Sequence, residues 1–170
     1  MREPLETTTR LDGYLRLAVS HISGHISGDL YGPVTVRGQE GTVAVLRYTH
    51  SLRTPFDAGN GGPSGLRQHG PLTITKAFDR TSPALRAAWA ANATFSTWVL
   101  EIGRTEPRRR AFELSHRITL TQARIVSIDS SFAEGEDLED VTFVYQRIQW
   151  RSETPTTPNE AADDWTPQPV

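Results

Sequence analysis

The sequence predicts a mainly β domain: two packed antiparallel sheets forming a sandwich or small barrel, with one lateral α-helix. Three observations predict it. Apolar and polar residues alternate with period two in segment after segment, β-branched residues crowd the stretch from Ala111 to Ile128, and one segment alone combines helical spacing with a start signal. Successive side chains of a strand point to opposite faces, so this alternation marks surfaces covered on one side by a core.

Taken in order, Leu15, Leu17 and Val19 alternate with Tyr14, Arg16 and Ala18, and Val43, Val45 and Arg47 alternate with Ala44, Leu46 and Tyr48. Leu72, Ile74, Lys76 and Phe78 then fall on one side of a strand, with Thr73, Thr75 and Ala77 on the other. Ser82 followed by Pro83 reads as a helix N-cap with proline at the first helical position. The helix is expected to run to about Ala93. Leu85, Ala88, Trp89 and Asn92 share one face, and Leu85 and Trp89 are its expected core anchors. Trp98, Leu100 and Ile102 interleave with Val99 and Glu101. Ala111 to Ile128 suits either one long bent strand or two joined strands, with the break in Thr119 to Ala123. Val141, Phe143 and Tyr145 interleave with Thr142 and Val144 and continue to Ile148 and Trp150.

A chain of 170 residues suits one domain able to bury a conventional core. It is placed at residues 1–151, with an extended loop over 51–70, and is followed by an acidic, proline-rich segment, 152–170, read as a mobile tail. An exposed tail aromatic is the expectation for Trp165. The absence of cysteine removes disulfides, thiolate metal sites and thiol nucleophiles. Net charge is −2, and removing the four tail acids, Glu153, Glu160, Asp163 and Asp164, leaves a body at +2. So small a charge argues against a nucleic-acid footprint. The segment from Met1 to Gly13 lacks the apolar run of a secretory signal, and no stretch is long and apolar enough for a membrane span, so the chain is expected to be made as a soluble cytoplasmic protein.

Several groupings invite chemistry and fail on spacing. His21-Ile22-Ser23-Gly24-His25-Ile26-Ser27-Gly28-Asp29 offers metal ligands, but a four-residue spacing converges only on a helix, which its glycines and β-branched residues disfavour. Thr49-His50-Ser51 with Asp57 or Asp79 holds the ingredients of a nucleophilic triad without a Gly-x-Ser-x-Gly elbow. Gly59-Asn60-Gly61-Gly62-Pro63-Ser64-Gly65 lacks the Gly-Lys-Ser/Thr that touches phosphate and magnesium, and reads as a flexible projecting loop. No catalytic residue, metal or cofactor is assigned.

The loop Gly65-Leu66-Arg67-Gln68-His69-Gly70-Pro71, the strand carrying Thr75-Lys76-x-x-Asp79 and the Ser82-Pro83 helix start occur in an order that resembles the Hcp family (hemolysin-coregulated protein, TssD), the tube protein of type VI secretion systems. Similar matches run through Tyr14-Leu15-Arg16-Leu17, Ile26-x-Gly28, Gly38-x-Glu40-Gly41, His50-x-x-x-x-Pro55-x-Asp57 and Phe143-x-Tyr145-x-x-Ile148-x-Trp150, spread from about residue 12 to 151. The resemblance implies a non-enzymatic subunit that closes into hexameric rings with a wide channel. Those rings stack into a tube inside a contractile sheath. It further implies delivery with a VgrG-type spike protein, small secreted effectors carried in the lumen, and export without a signal peptide, with neither nucleic acid nor membrane insertion.

Loops longer than about 12 residues are usually functional or disordered, and the one over 51–70 is too apolar for a solvated linker. Leu52, Pro55, Phe56, Asp57, Leu66 and His69 are therefore its expected inter-subunit contacts. Arg108, Arg109 and Arg110 after Pro107, with Glu136 and Asp137 in an acidic loop (Glu134, Glu136, Asp137, Glu139, Asp140), are expected axial charge contacts. The alternatives are a phage-type tail-tube protein, a monomeric ligand-binding β-sandwich with Tyr31, Tyr48 and Trp98 in a groove, and an enzyme.

Overall fold

The computed structural model describes residues 11–22, 26–106, 111–153 and 159–165. In chain order the elements are β1 (Asp12–Ile22), β2 (Ile26–Leu30), β3 (Val43–Val45), β4 (Arg47–Thr49), β5 (Leu52–Arg53), β6 (Gln68–His69), β7 (Leu72–Ala77), α1 (Ser82–Ala90), β8 (Phe95–Glu106), β9 (Ala111–Thr121), β10 (Arg124–Ala133), β11 (Glu136–Val144), β12 (Arg147–Ser152) and β13 (Asn159–Asp164). One sheet has the order β13-β12-β9-β8-β1-β2, with β3 also paired to β1. The other has the order β10-β11-β7-β4, and β5 and β6 pair only with each other.

The core lies between the two larger sheets. Leu15, Leu17, Trp98, Leu100, Ile118 and Ile148 face Leu72, Ile74, Val141 and Phe143, all at most 1% exposed. Phe143 meets Phe95 and Trp98 edge-on at 5.7 and 5.5 Å. The inward alternation expected for β1 and β7 is present. Trp98 is fully buried, which removes it from any surface groove.

Two strands that read as continuous, and the stretch from Ala111 that suited one strand or two, are broken in space, and each break carries the chain from one sheet to the other. Val43–Thr49 divides into β3, on β1, and β4, on β7. The stretch from Ala111 divides into β9 and β10 at Gln122, whose φ of 56° turns a corner. The segment from Val141 to Trp150 divides into β11 and β12 around Tyr145 and Gln146. The buried positions shift parity across the last two corners, from Leu120 to Ala123 and from Tyr145 to Ile148. Such switching belongs to sandwiches whose sheets are linked through bent strands.

The helix differs in detail from its expectation. Thr81 is the N-cap, and α1 ends at Ala90. Asn92, with φ 50°, closes it in a Schellman motif: its N–H donates to the Trp89 carbonyl at 2.9 Å, and that of Ala93 donates to the Ala88 carbonyl at 2.9 Å. Leu85 is fully buried, whereas Trp89, in the final turn of the shortened helix, is 52% exposed and is not a core anchor. Ser82 is freed from capping because its hydroxyl serves a buried charge.

That charge is Lys76, on the inner face of β7 and 0% exposed. Its ammonium donates to Glu139 Oε1 at 2.7 Å, to Ser82 Oγ at 2.9 Å and to the Ala77 carbonyl at 2.8 Å, with Asp79 at 3.2 Å. Ser82 Oγ donates to Glu139 Oε1, and Arg86 donates to Glu139 Oε2 at 2.8 Å. Glu139 is thus a buried counter-ion rather than a loop acid. The expected acidic loop is instead the hairpin of β10 and β11, closed by Glu134 and Gly135 with φ of 54° and 83°, the geometry of a two-residue primed turn.

Glu139→Ala, which strands Lys76 in the core, should lower unfolding free energy by about 3–5 kcal/mol in urea titration. Burial alone would raise the Glu139 pKa, but bonds from Lys76 and Ser82, the Lys76 charge and Arg86 together lower it. The native state then binds fewer protons than the unfolded chain, so this stability is present above about pH 4.3 and is lost as pH falls further. Urea midpoints that hold steady from pH 5 to pH 3 would contradict it.

Candidate assembly interface

The expected flexible loop is an ordered arm. Leu52 pairs with His69 and Arg53 with Gln68, and the Gly70 N–H donates to the Ser51 carbonyl at 2.8 Å. Farther out, Ser64 N–H donates to Pro55 O, Asp57 N–H to Gly62 O and Gly61 N–H to Asp57 O, each at 2.8 Å. The Asp57 carboxylate accepts from Gly59 N–H at 2.7 Å and the Asn60 side-chain oxygen from Gly62 N–H at 2.8 Å. Aspartate and asparagine thus shape the tip, as short polar side chains do in tight turns. Leu52, Phe56 and Leu66 are 52, 70 and 69% exposed, while Pro55 is half-buried against Gly65.

His69 departs from its expected role as a contact residue, because its side chain is 1% exposed. Its Nδ1 lies 2.9 Å from the Tyr145 hydroxyl, which His50 Nε2 also approaches at 2.6 Å. Its Nε2 lies 3.2 Å from Asp163, whose other oxygen takes Arg67 at 2.9 Å. Trp165 stands perpendicular to Tyr145, with ring centroids 5.1 Å apart, and tilts against His69 at 5.8 Å. This polar and aromatic knot forms the root of the arm.

The knot also corrects the mobile-tail expectation for residues 159–165. They form β13 on β12, in register from Arg147↔Asp164 to Ser152↔Asn159, and end in the half-buried Trp165. Acids that make a free segment soluble are here partners for Arg147, Arg67 and His69. Sequence reasoning missed Tyr145, Asp163 and Trp165 as one group. The available signal was Asp163-Asp164-Trp165, an acid–aromatic cluster within a proline-broken stretch.

The remaining candidates separate. Glu136 and Asp137 are exposed beside the turn between β10 and β11, and Arg108, Arg109 and Arg110 lie outside the described residues. Within the His-Ile-Ser-Gly repeat, Ser23, Gly24 and His25 lie outside them, His21 and Ile22 end β1, Ile26 begins β2, and Gly28 takes φ 102°, a backbone role for glycine. His50 is engaged with Tyr145, Asp57 with the tip and Asp79 with Lys76 and Thr81, so the ingredients of a triad never meet. Among the described residues no helix is long and apolar enough to cross a membrane.

A sandwich whose polar side chains serve its own scaffold, and which projects an ordered apolar arm, defines a self-assembling structural subunit. The family profile described as "Type VI secretion system effector, Hcp" matches residues 14–151, and the chain belongs to the Hcp family of secreted type VI tube proteins, which are structural and not enzymes. It is 32% identical over 151 residues to the Major exported protein of Pseudomonas aeruginosa, covering 84% of this chain and 86% of that one. Its fold is that of a double-tryptophan variant of Hcp1 from E. coli EAEC 042 (TM-score 0.77, 24% identity, 91% of this chain and 99% of the other). Secreted protein Hcp3 from Pseudomonas aeruginosa is similar too (TM-score 0.72, 24% identity, 93 and 100%). The family forms ring and tube assemblies of itself and is secreted, which sets aside the ligand-binding and phage-type alternatives.

Burial, and secondarily the charge of His69, hold the His50 pKa below its usual value. Between the folded and unfolded values the native state binds fewer protons than the unfolded chain. This contribution is therefore complete above about pH 6.5 and declines as pH falls. Unfolding midpoints should drop between pH 7.5 and 5.5, and less steeply in His50→Gln; identical slopes in both proteins would exclude the effect.

Proposed function

We propose that six copies of this chain close into a ring and that rings stack head to tail through the arm. The observation that carries this is the placement of two unlike surfaces at opposite ends of β7. The arm returns into β7 at Gly70, beside the Leu72↔Phe143 pair, whereas Glu136 and Asp137 lie just beyond the Ala77↔Leu138 pair at the other end. Six strand residues separate the two ends by about 20 Å. Unlike surfaces at opposite ends give a heterologous contact, which propagates as a stack.

In this reading Leu52, Pro55, Phe56, Asp57 and Leu66 meet the adjoining ring, and Glu136 and Asp137 face Arg108, Arg109 and Arg110 across the same junction. His69 holds the arm at its base. Burying Phe56 and Leu66 gives a gross gain of about 3–6 kcal/mol per arm, before ordering costs. The stack is the inner tube within a contractile sheath, is delivered with a VgrG-type spike protein and carries small effectors in its lumen. It assembles in the cytoplasm and leaves without a signal peptide.

Phe56→Ser combined with Leu66→Ser should leave rings in electron micrographs of the purified protein while tubes are lost, and Glu136→Lys with Asp137→Lys should shorten tubes in low salt. Tubes of normal length from the Phe56/Leu66 variant would remove the axial role from the arm. A clean monomer by light scattering at high concentration would remove the ring itself.

A further inference from the structure

The arm has a mechanical difficulty that its own hydrogen bonds do not solve. β5 and β6 form a separate two-stranded sheet, joined to neither large sheet by a strand ladder. An isolated hairpin is marginal in water, and this one exposes Leu52, Phe56 and Leu66 rather than packing them under itself. An arm that is to meet a neighbour in one register needs a fixed direction, because orientational freedom is lost on binding. The anchors must come from elsewhere in the fold.

They converge on the side chains of the arm's return strand. Tyr145, at the corner between β11 and β12, holds His69 from one side. On the other side Asp163 lies against both Arg67 and His69, while Trp165 covers the His69–Tyr145 pair. Trp165 is itself fixed by its backbone N–H, which donates to the Gln146 carbonyl at 2.7 Å, and β13 is fixed along six paired residues of β12. Asp163 and Trp165 both lie beyond residues 14–151, the span matched by the family profile.

We propose that Asn159–Trp165 is a strap that sets the direction of the arm, with Asp163 and Trp165 as positioning residues. Its benefit to stacking rests on the assembly reading above; its hold on the arm does not. The segment locks the return strand from the C-terminal side, so a subunit lacking these contacts keeps its core and its ring surfaces but presents a wandering arm.

Hydrogen exchange on the full-length chain, read by peptide, tests the strap. In Asp163→Asn and in Trp165→Ala, the bonded amides of Asp57, Gly61, Ser64 and Gly70 should exchange at least about tenfold faster, while β8 amides keep their protection. Trp165→Phe, which keeps a ring on Tyr145, should restore most of the slowing. Asp163→Asn preserves shape and backbone pairing, so it remains informative if Trp165→Ala folds poorly. Arm exchange within twofold of the parent protein in Asp163→Asn, with β8 intact, would overturn the proposal. Electron microscopy of the same variants separates the two readings: a loosened arm with tubes of normal length leaves the strap standing and removes the arm from stacking.

Discussion

An ammonium group without solvent has to be surrounded, and the surroundings of Lys76 hold this fold in place. The group lies inside the sandwich, and its partners arrive from Glu139 on β11, Ser82 at the start of α1 and the backbone of its own strand. An ion pair so placed adds little net stability, because desolvation offsets most of the attraction. Its effect is on which arrangements are tolerated. A helix displaced by one turn, or a β11 slipped by one residue, would leave a charge in an apolar interior. The helix, the β7–β11 ladder and the hairpin beyond it are therefore held in a single mutual register.

The same economy governs the second polar knot. Tyr145 sits where the chain leaves one sheet for the other, and its hydroxyl gathers His50 and His69 from the two sides of the arm root. Burial and the nearby Asp163 carboxylate push its pKa well above the usual phenol range, so it stays a neutral hydroxyl between the imidazoles. A corner of the sandwich thus doubles as the seat of the projection. The rigidity of the core passes to a surface feature through three side chains rather than through a continuous sheet.

Both knots use residue types that elsewhere perform chemistry, and in each the geometry turns them to structure. Lysine, glutamate and serine, or histidine, tyrosine and aspartate, find one another here in closed sets, with donors matched to acceptors. Among the surfaces the molecule offers outward are apolar area on an ordered arm and an acidic hairpin turn at the far end of β7. Those are the attributes of a subunit that acts by contact with its own kind.

The sequence alone determined the class of fold, the inner faces of β1 and β7, the place of the single helix and the family, because side-chain alternation and turn chemistry are properties of neighbouring residues. It also offered the break at Gln122, inside the expected Thr119 to Ala123, and carried the parity shift after Tyr145, where alternation to either side made one strand of two. Only the tertiary structure decided that Ser82 serves Lys76, that His69 is a root and not a contact, and that Asp163 and Trp165 belong to the arm. The partners in those groups stand 63 residues apart for Lys76 and Glu139, 95 for His50 and Tyr145, and 94 for His69 and Asp163. No local spacing encodes such a pairing; it exists once the sheets have closed and brought the side chains within reach.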